Sequence, residues 1–163
     1  MIRHFDDILR IAKERGPKTI AVAVAQDLEV LIAVNEAKKM GIADSILVGD
    51  QEKIEEIAKN NGIDIKEFAV VDVKDITQAS KKAVELVSIG RAQIVMKGLV
   101  DTSVVLKAVL DPAVGLRTGN TLSHTAVFHV PGYDRLILVT DAAMNIAPNL
   151  EVKKQIIDRK SVV

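Results

Sequence analysis

The sequence contains no cysteine and no tryptophan. Without cysteine there is no disulfide framework, thiolate zinc site, iron–sulfur cluster or cysteine nucleophile, and a reducing compartment fits. Aromatic residues are 2% of the chain, three Phe and one Tyr. That is too few for the stacked rings that hold single-stranded nucleic acid. Neither charge sign dominates, because 22 Lys and Arg balance 22 Asp and Glu. A zero balance gives no electrostatic reason to bind nucleic acid or an anionic membrane, and neither is expected as a partner. No apolar run approaches the roughly 18 residues that cross a bilayer. Residues 1–16 carry Asp6, Asp7 and Glu14 and lack the apolar stretch of a secretory signal. The expected location is cytoplasmic.

What remains is an ordinary globular composition, 48% apolar and 27% charged over 163 residues. At about 150 residues per domain this is one domain, or one with part of another, and long enough for a sizeable core.

The apolar residues alternate between two rhythms. Ile2, Phe5, Ile8, Leu9 and Ala12 recur at three and four, which predicts an amphipathic helix closed by Gly16-Pro17. Short apolar runs at 20–25, 45–48, 68–73 and 93–96 predict strands, and residues 28–40, 51–61, 76–89 and 102–110 predict helices between and after them. Strands apolar on both faces belong to a parallel sheet covered by helices on each side. The expected fold class is therefore α/β, a doubly wound, three-layer parallel sheet. The rhythm changes after Pro112. Residues 111–122 read as a polar connection, and 125–130 with 136–140 as two strands. Their linker is too short for a crossover helix, so they are expected as an antiparallel hairpin. A last helix is expected over 150–158. Residues 1–121 are expected as a first α/β domain and 122–163 as the start of an incomplete second one.

Ligands of an open parallel sheet bind at the carboxyl ends of its strands. Gln26, Asp27, Gly49, Asp50, Lys97, Gly98, Thr140 and Asp141 fall there; helix capping and solvent exposure explain polar residues at strand ends equally well. The most informative stretch is Lys97-Gly98-Leu99-Val100-Asp101-Thr102-Ser103. A lysine at a strand end, a glycine and hydroxyls at a helix start suit an anion such as phosphate, and an ordinary helix cap is the alternative. Its spacing is not that of a Walker A loop. A second stretch, 115–124, carries Arg117, Thr118, Gly119 and Ser123. It reads as an arginine fork with hydroxyl donors for phosphate, or as a solvated linker. In the third, 141–148, Asp141 and Asn145 either orient a ligand or build a turn. His4, His124 and His129 lack metal-ligand spacing, so no metal site is expected. Ser123 and His124 are adjacent, which alone makes no triad.

Taken in order, these stretches resemble the phosphate butyryltransferases of the phosphate acetyl/butyryltransferase family. The resemblance runs through Ala23-Val24-Ala25-Gln26-Asp27-Leu28-Glu29-Val30-Leu31, Gly41-Ile42-Ala43, Ile46-Leu47-Val48-Gly49-Asp50 and Met96-Lys97-Gly98. It continues through Thr102-Ser103, Leu106-Lys107-Ala108-Val109-Leu110, residues 115–119, Leu122-Ser123-His124 and 141–148, reaching about Ile157. It implies transfer of an acyl group from acyl-CoA to phosphate, giving acyl phosphate and free coenzyme A. It also implies a fold like that of the isocitrate and isopropylmalate dehydrogenases, with two α/β domains around a cleft, and a homo-oligomer. Coenzyme A enters as a substrate, and no bound cofactor or metal is implied. Lys97 and Arg117 are then the candidate catalytic residues. Gln26, Asp27, Gly98, Thr102, Ser103, Thr118, Gly119, Ser123, Asp141 and Asn145 are the candidate substrate-binding residues.

Members of that family are about twice as long, and residues from about Asp158 depart from the family pattern. The sequence therefore reads as a chain truncated early in its second domain. Little turnover is expected, along with self-association through uncovered apolar surface. Two alternatives remain: a non-catalytic module that binds coenzyme A or phosphate or pairs with a full-length subunit, and a phosphate-ester dehydrogenase of the same fold.

Overall fold

Apolar strands need cover on both faces, and the helices between them supply it. The computed structural model describes residues 2–158. The chain clusters into two compact units, one of Ala12–Arg117 and one in which the residues up to Ile11 join those from Thr118 onward. An initial helix, α1 (Phe5–Arg15), spans the boundary.

The first unit alternates strand and helix. β1 (Lys18–Ala23) leads to α2 (Leu28–Lys39), β2 (Ala43–Gly49) to α3 (Gln51–Asn60), β3 (Ala69–Asp72) to α4 (Ile76–Ser88), and β4 (Ile94–Lys97) to α5 (Thr102–Val109). The sheet order is β3-β2-β1-β4, and every pairing is parallel. Ala23 of β1 lies in register with Val48 of β2 and Lys97 of β4.

Alternation along each strand divides the core in two. Val22, Leu47, Val70 and Met96 face Leu31 and Val34 of α2 and Ile54 and Ala58 of α3. Ala21, Ala23, Ile46, Val48, Val71 and Val95 face Ala79, Ala83 and Leu86 of α4 and Val105 of α5. Leu31, Leu47 and Ile54 are fully buried, each worth roughly 1.5–3 kcal/mol of apolar transfer. Helix starts follow side-chain chemistry. Asp27, Asp50 and Asp75 accept the backbone N–H of Val30, Lys53 and Gln78, so each satisfies a donor that the helix leaves free.

The expected helices and parallel strands of this unit are present, with ends shifted by a few residues. One shift has a clear cause. The apolar run through Ala25 predicts a strand to that residue, yet β1 stops at Ala23 because Val24 adopts φ 61°. A β-branched residue rarely enters that left-handed region. A 3-10 turn at Ile65–Glu67, capped by Asp64 on the Lys66 N–H, was not expected.

The second unit holds β5 (Thr125–His129), β6 (Leu136–Thr140) and α6 (Leu150–Asp158). β5 and β6 pair antiparallel, Thr125 opposite Thr140 and His129 opposite Leu136, as the short linker requires. Asn149 accepts the Val152 N–H at the start of α6. Gln155 of α6 accepts from both the N–H and the hydroxyl of Thr121, at 3.0 and 2.7 Å. The N-terminal residues belong to this unit too: Arg3 pairs with Asp134 at 2.9 Å, and the His4 ring meets His129 edge-on. The expected departure from the family pattern starts at about Asp158, the last residue of α6; residues 159–163 lie outside the described residues.

Candidate functional site

β1 and β4 are neighbours in the sheet, but the chain leaves them in opposite directions. After β1 it enters α2 on one face, and after β4 it enters α5 on the other. Such a reversal opens a crevice at the carboxyl ends of the two strands. A cavity of about 320 Å3 lies there, lined by Asp27, Glu29 and Val30 from the start of α2 and by Met96, Gly98 and Leu99 from the end of β4.

The floor of this crevice is backbone packed on backbone. The Gly98 N–H donates to the Ala23 carbonyl at 2.8 Å and the Leu99 N–H to the Val24 carbonyl at 3.1 Å. A Cβ on Gly98 would stand 2.1 Å from the Val24 oxygen, so only glycine fits. Beside it the Gln26 side-chain oxygen accepts the Asp50 N–H at 3.3 Å, which ties the ends of β1 and β2 together. Asp27 serves as the cap of α2 while lining the cavity.

Lys97 is exposed, and its ammonium donates to the Val100 carbonyl at 2.8 Å and the Gly98 carbonyl at 3.2 Å. These bonds hold it over the loop that enters α5. Asp101, the cap residue of α5, makes no side-chain capping bond, unlike Asp27, Asp50 and Asp75. The N–H groups of Thr102 and Ser103 have no acceptor among the described residues, and both side chains are exposed. Free donors, a helix N-terminus and a lysine at one strand end form an arrangement that can neutralise an anion.

Arg117 closes the first unit. The Gly115 N–H donates to the Asp111 carbonyl, and the Leu116 N–H to the Val109 carbonyl at 2.8 Å, which fixes the turn after α5. Asp111 anchors the same turn. The Lys81 ammonium at 2.9 Å, then the N–H groups of Ala113 and Val114, hold its carboxyl at about 2, below its ordinary 3.8. The Arg117 side chain is exposed and has no hydrogen-bond or ion-pair partner among the described residues.

In the second unit Thr118 and Gly119 are exposed. Asp141 and Asn145 come together: the Asn145 amide donates to the Asp141 carboxylate and to the Leu122 carbonyl at 3.0 Å. The Thr140 hydroxyl donates to the His124 carbonyl at 2.8 Å. Ser123 therefore sits on a strip pinned on either side. Burial pushes the Asp141 carboxyl up. Donation from Asn145 and from the N–H groups of Met144, Ala143 and His124 outweighs this and holds it at about 2. The hydrogen bonds of this segment are those of a turn built on the Asp141 and Asn145 side chains.

The sequence reading missed Glu29, Met96 and Leu99 of the cavity, and Gln155. Gln155 lies 34 positions from Thr121, and no local pattern signals such a bond. Among the described residues no group of three or more His, Asp or Glu is placed to hold a metal ion, and no helix is long and apolar enough to cross a membrane.

Known proteins resemble this chain in sequence and in fold. The chain is 50% identical over 158 residues to a phosphate butyryltransferase of Clostridium acetobutylicum, covering 97% of this chain and 52% of that one. It is 48% identical to a phosphate butyryltransferase of Clostridium beijerinckii, covering 100% and 54%. Among solved structures, a branched-chain phosphotransacylase from Enterococcus faecalis superposes with a TM-score of 0.71 at 29% identity, covering 86% of this chain and 49% of that one. A phosphotransacetylase from Streptococcus pyogenes shares the fold with a TM-score of 0.79 at 14% identity, covering 94% and 56%. The chain spans about half the length of the curated relatives it matches. The family pattern described as phosphate acetyl/butaryl transferase matches residues 4–81 and 74–161, and the chain belongs to that family.

Proposed function

We propose that this chain carries part of a phosphate acyltransferase, which moves a butyryl group from coenzyme A to inorganic phosphate. One observation carries the reading: Lys97 and the uncapped first turn of α5 stand together beside the crevice between β1 and β4. A phosphate oxygen attacks the thioester carbonyl. The C–O bond forms, the C–S bond breaks, and coenzyme A leaves as its thiol, taking the proton that the attacking hydrogenphosphate gives up. Lys97 with the N–H and hydroxyl groups of Thr102 and Ser103 holds the phosphate, and Gly98 lets it approach the backbone. Arg117 supplies a planar cation for the charge that develops on oxygen. Gln26 and Asp27 shape the crevice wall, while Thr118, Gly119, Ser123, Asp141 and Asn145 contribute substrate contacts from their own unit. The parallel sheet, helical on both faces, supports an isocitrate dehydrogenase-like fold. The protein is read as a cytoplasmic homo-oligomer with acyl-CoA and phosphate as its small-molecule partners. The relatives named above are transferases, which favours this reading over a phosphate-ester dehydrogenase.

The test is phosphate-dependent release of free thiol from butyryl-CoA by the purified chain, paired with calorimetric binding of coenzyme A and inorganic phosphate. Release that requires phosphate and falls in Lys97→Ala supports the reading. Binding without release makes the chain a binding module. The absence of both release and binding overturns the proposal.

A further inference from the structure

The crevice at the ends of β1 and β4 is lined by Asp27, Glu29, Val30, Met96, Gly98 and Leu99, all within one compact unit. Val30, Met96 and Leu99 give it an apolar wall. No side chain in the lining donates a hydrogen bond, because carboxylates only accept. The backbone donors are largely committed too. The Asp27 N–H donates to the Ala25 carbonyl, the Val30 N–H to the Asp27 carboxylate, and the Gly98 and Leu99 N–H groups to Ala23 and Val24. An occupant rich in oxygen acceptors would leave them unpaired there, which is costly. An anionic occupant would also meet two carboxylates, Asp27 at the cap of α2 and Glu29 in its first turn.

A short hydrocarbon chain suits this lining. At about 320 Å3 the cavity is near the small end of the roughly 300–1,000 Å3 of ligand sites. Gly98 joins the cavity to the anion donors: it lines the crevice, and its carbonyl accepts from the Lys97 ammonium at 3.2 Å.

We propose that this crevice holds the acyl chain of the substrate. Val30, Met96 and Leu99 favour added methylenes, and Asp27 and Glu29 exclude acyl groups that end in a carboxylate. The inference rests on the acyltransferase reading and names the part of the substrate that the crevice selects. Phosphate stands at Lys97, and the acyl carbons run past Gly98 onto the apolar wall. Each methylene laid there leaves water. Met96 has an unbranched, flexible side chain that adapts to straight or branched chains. A terminal carboxylate would bring a third negative charge beside Asp27 and Glu29. Attraction for one substrate and repulsion of its competitor together set specificity.

The experiment is calorimetric titration of the chain with inorganic phosphate, 2-oxopropylphosphonate, 2-oxopentylphosphonate and 4-oxo-5-phosphonopentanoate. In the three phosphonates a CH2 replaces the ester oxygen of acetyl, butyryl and succinyl phosphate, so the probes do not hydrolyse. The 2-oxopentyl probe is expected to bind about tenfold tighter than the 2-oxopropyl probe, for two buried methylenes. It is expected to bind about tenfold tighter than the acidic probe, which suffers like-charge contact. Leu99 and Glu29 are exposed, so substitutions there spare the core, and circular dichroism checks folding. Leu99→Ala narrows the first ratio, and Glu29→Gln narrows the second. A merely structural effect would weaken all probes together. Equal affinities for the three phosphonates, or a preference for the acidic one, overturn the inference, while phosphate binding keeps the acyltransferase reading. Ratios that neither substitution changes also overturn it. If neither phosphate nor any phosphonate binds, the acyltransferase reading falls and this inference with it.

Discussion

Gly98 abuts the carbonyl of Val24. A Cβ on Gly98 would lie 2.1 Å from the Val24 oxygen and 2.7 Å from that of Ala23. Both residues sit where the sheet ends and the crevice begins, and Val24 has already left the strand geometry. The close approach is backbone against backbone, which has little freedom to yield.

Gly98→Ala is therefore expected to lower stability by about 2–3 kcal/mol, the range of a severe overpacking change. Gly49→Ala makes the instructive comparison. Its nearest obstacle is the Gln26 side-chain oxygen at 2.1 Å, the end of a flexible side chain that can swing away. Urea unfolding of both variants should show the larger loss in Gly98→Ala; equal losses would contradict this account.

Lys97→Ala should weaken phosphate binding by about tenfold, the loss of one charge-assisted hydrogen bond of about 1.5 kcal/mol. Lys107 lies in the last turn of the same helix, away from the free donors. Lys107→Ala should leave the affinity unchanged. Calorimetric titration with inorganic phosphate distinguishes the two.

Asp111 makes stability depend on acid. Its carboxyl is held at about 2 in the folded chain against 3.8 ordinarily, so between those values the unfolded chain binds more protons. Its contribution is complete above pH 4 and is lost as pH falls toward 2. Asp111→Asn should flatten the pH dependence of unfolding in that window, and so should Lys81→Met, which removes the cation. An unaltered slope in both would remove Lys81 as the cause.

Asn145→Ala should raise the Asp141 carboxyl from about 2 toward the ordinary range, because the strongest donor to it is gone. Carbon-detected NMR titration of the Asp141 side chain reads this directly. Asn145→Asp should raise it further, since two carboxylates would then face one another.

The β-α alternation was legible because strand and helix periods are written locally in the apolar spacing. The ends of β1 were not. Val24 continues an apolar run, and its left-handed turn is imposed by neighbours that sequence does not place beside it: the Ala25 N–H bound to Val48, and Gly98 bound to Ala23. The site divides in the same way. Lys97-Gly98 stood out as polar residues closing an apolar strand. That Asp101 leaves its helix donors free was hidden, because Asp27, Asp50 and Asp75 look the same in sequence and do cap. The Asp141–Asn145 pair lies within one turn and was visible as a unit, whereas the Gln155–Thr121 bond spans two elements and was not.

The two halves of the core are built from different stock. Toward α4 and α5 the sheet offers Ala21 and Ala23, met by Ala79 and Ala83. Toward α2 and α3 it offers Val22 and Leu47, met by Leu31 and Ile54. Where those four alanines meet, amid Ile46, Val48 and Leu86, there is almost nothing to lose and no room to gain, so errors there are errors of excess, and a single added methylene levers helix from strand. A wall of leucines and isoleucines fails through removal, by hollows that neighbours refill only in part. The same sheet thus polices substitutions by opposite criteria on its two sides, tolerating enlargement on neither the Ala21 nor the Ala83 row and tolerating trimming least around Leu31 and Ile54.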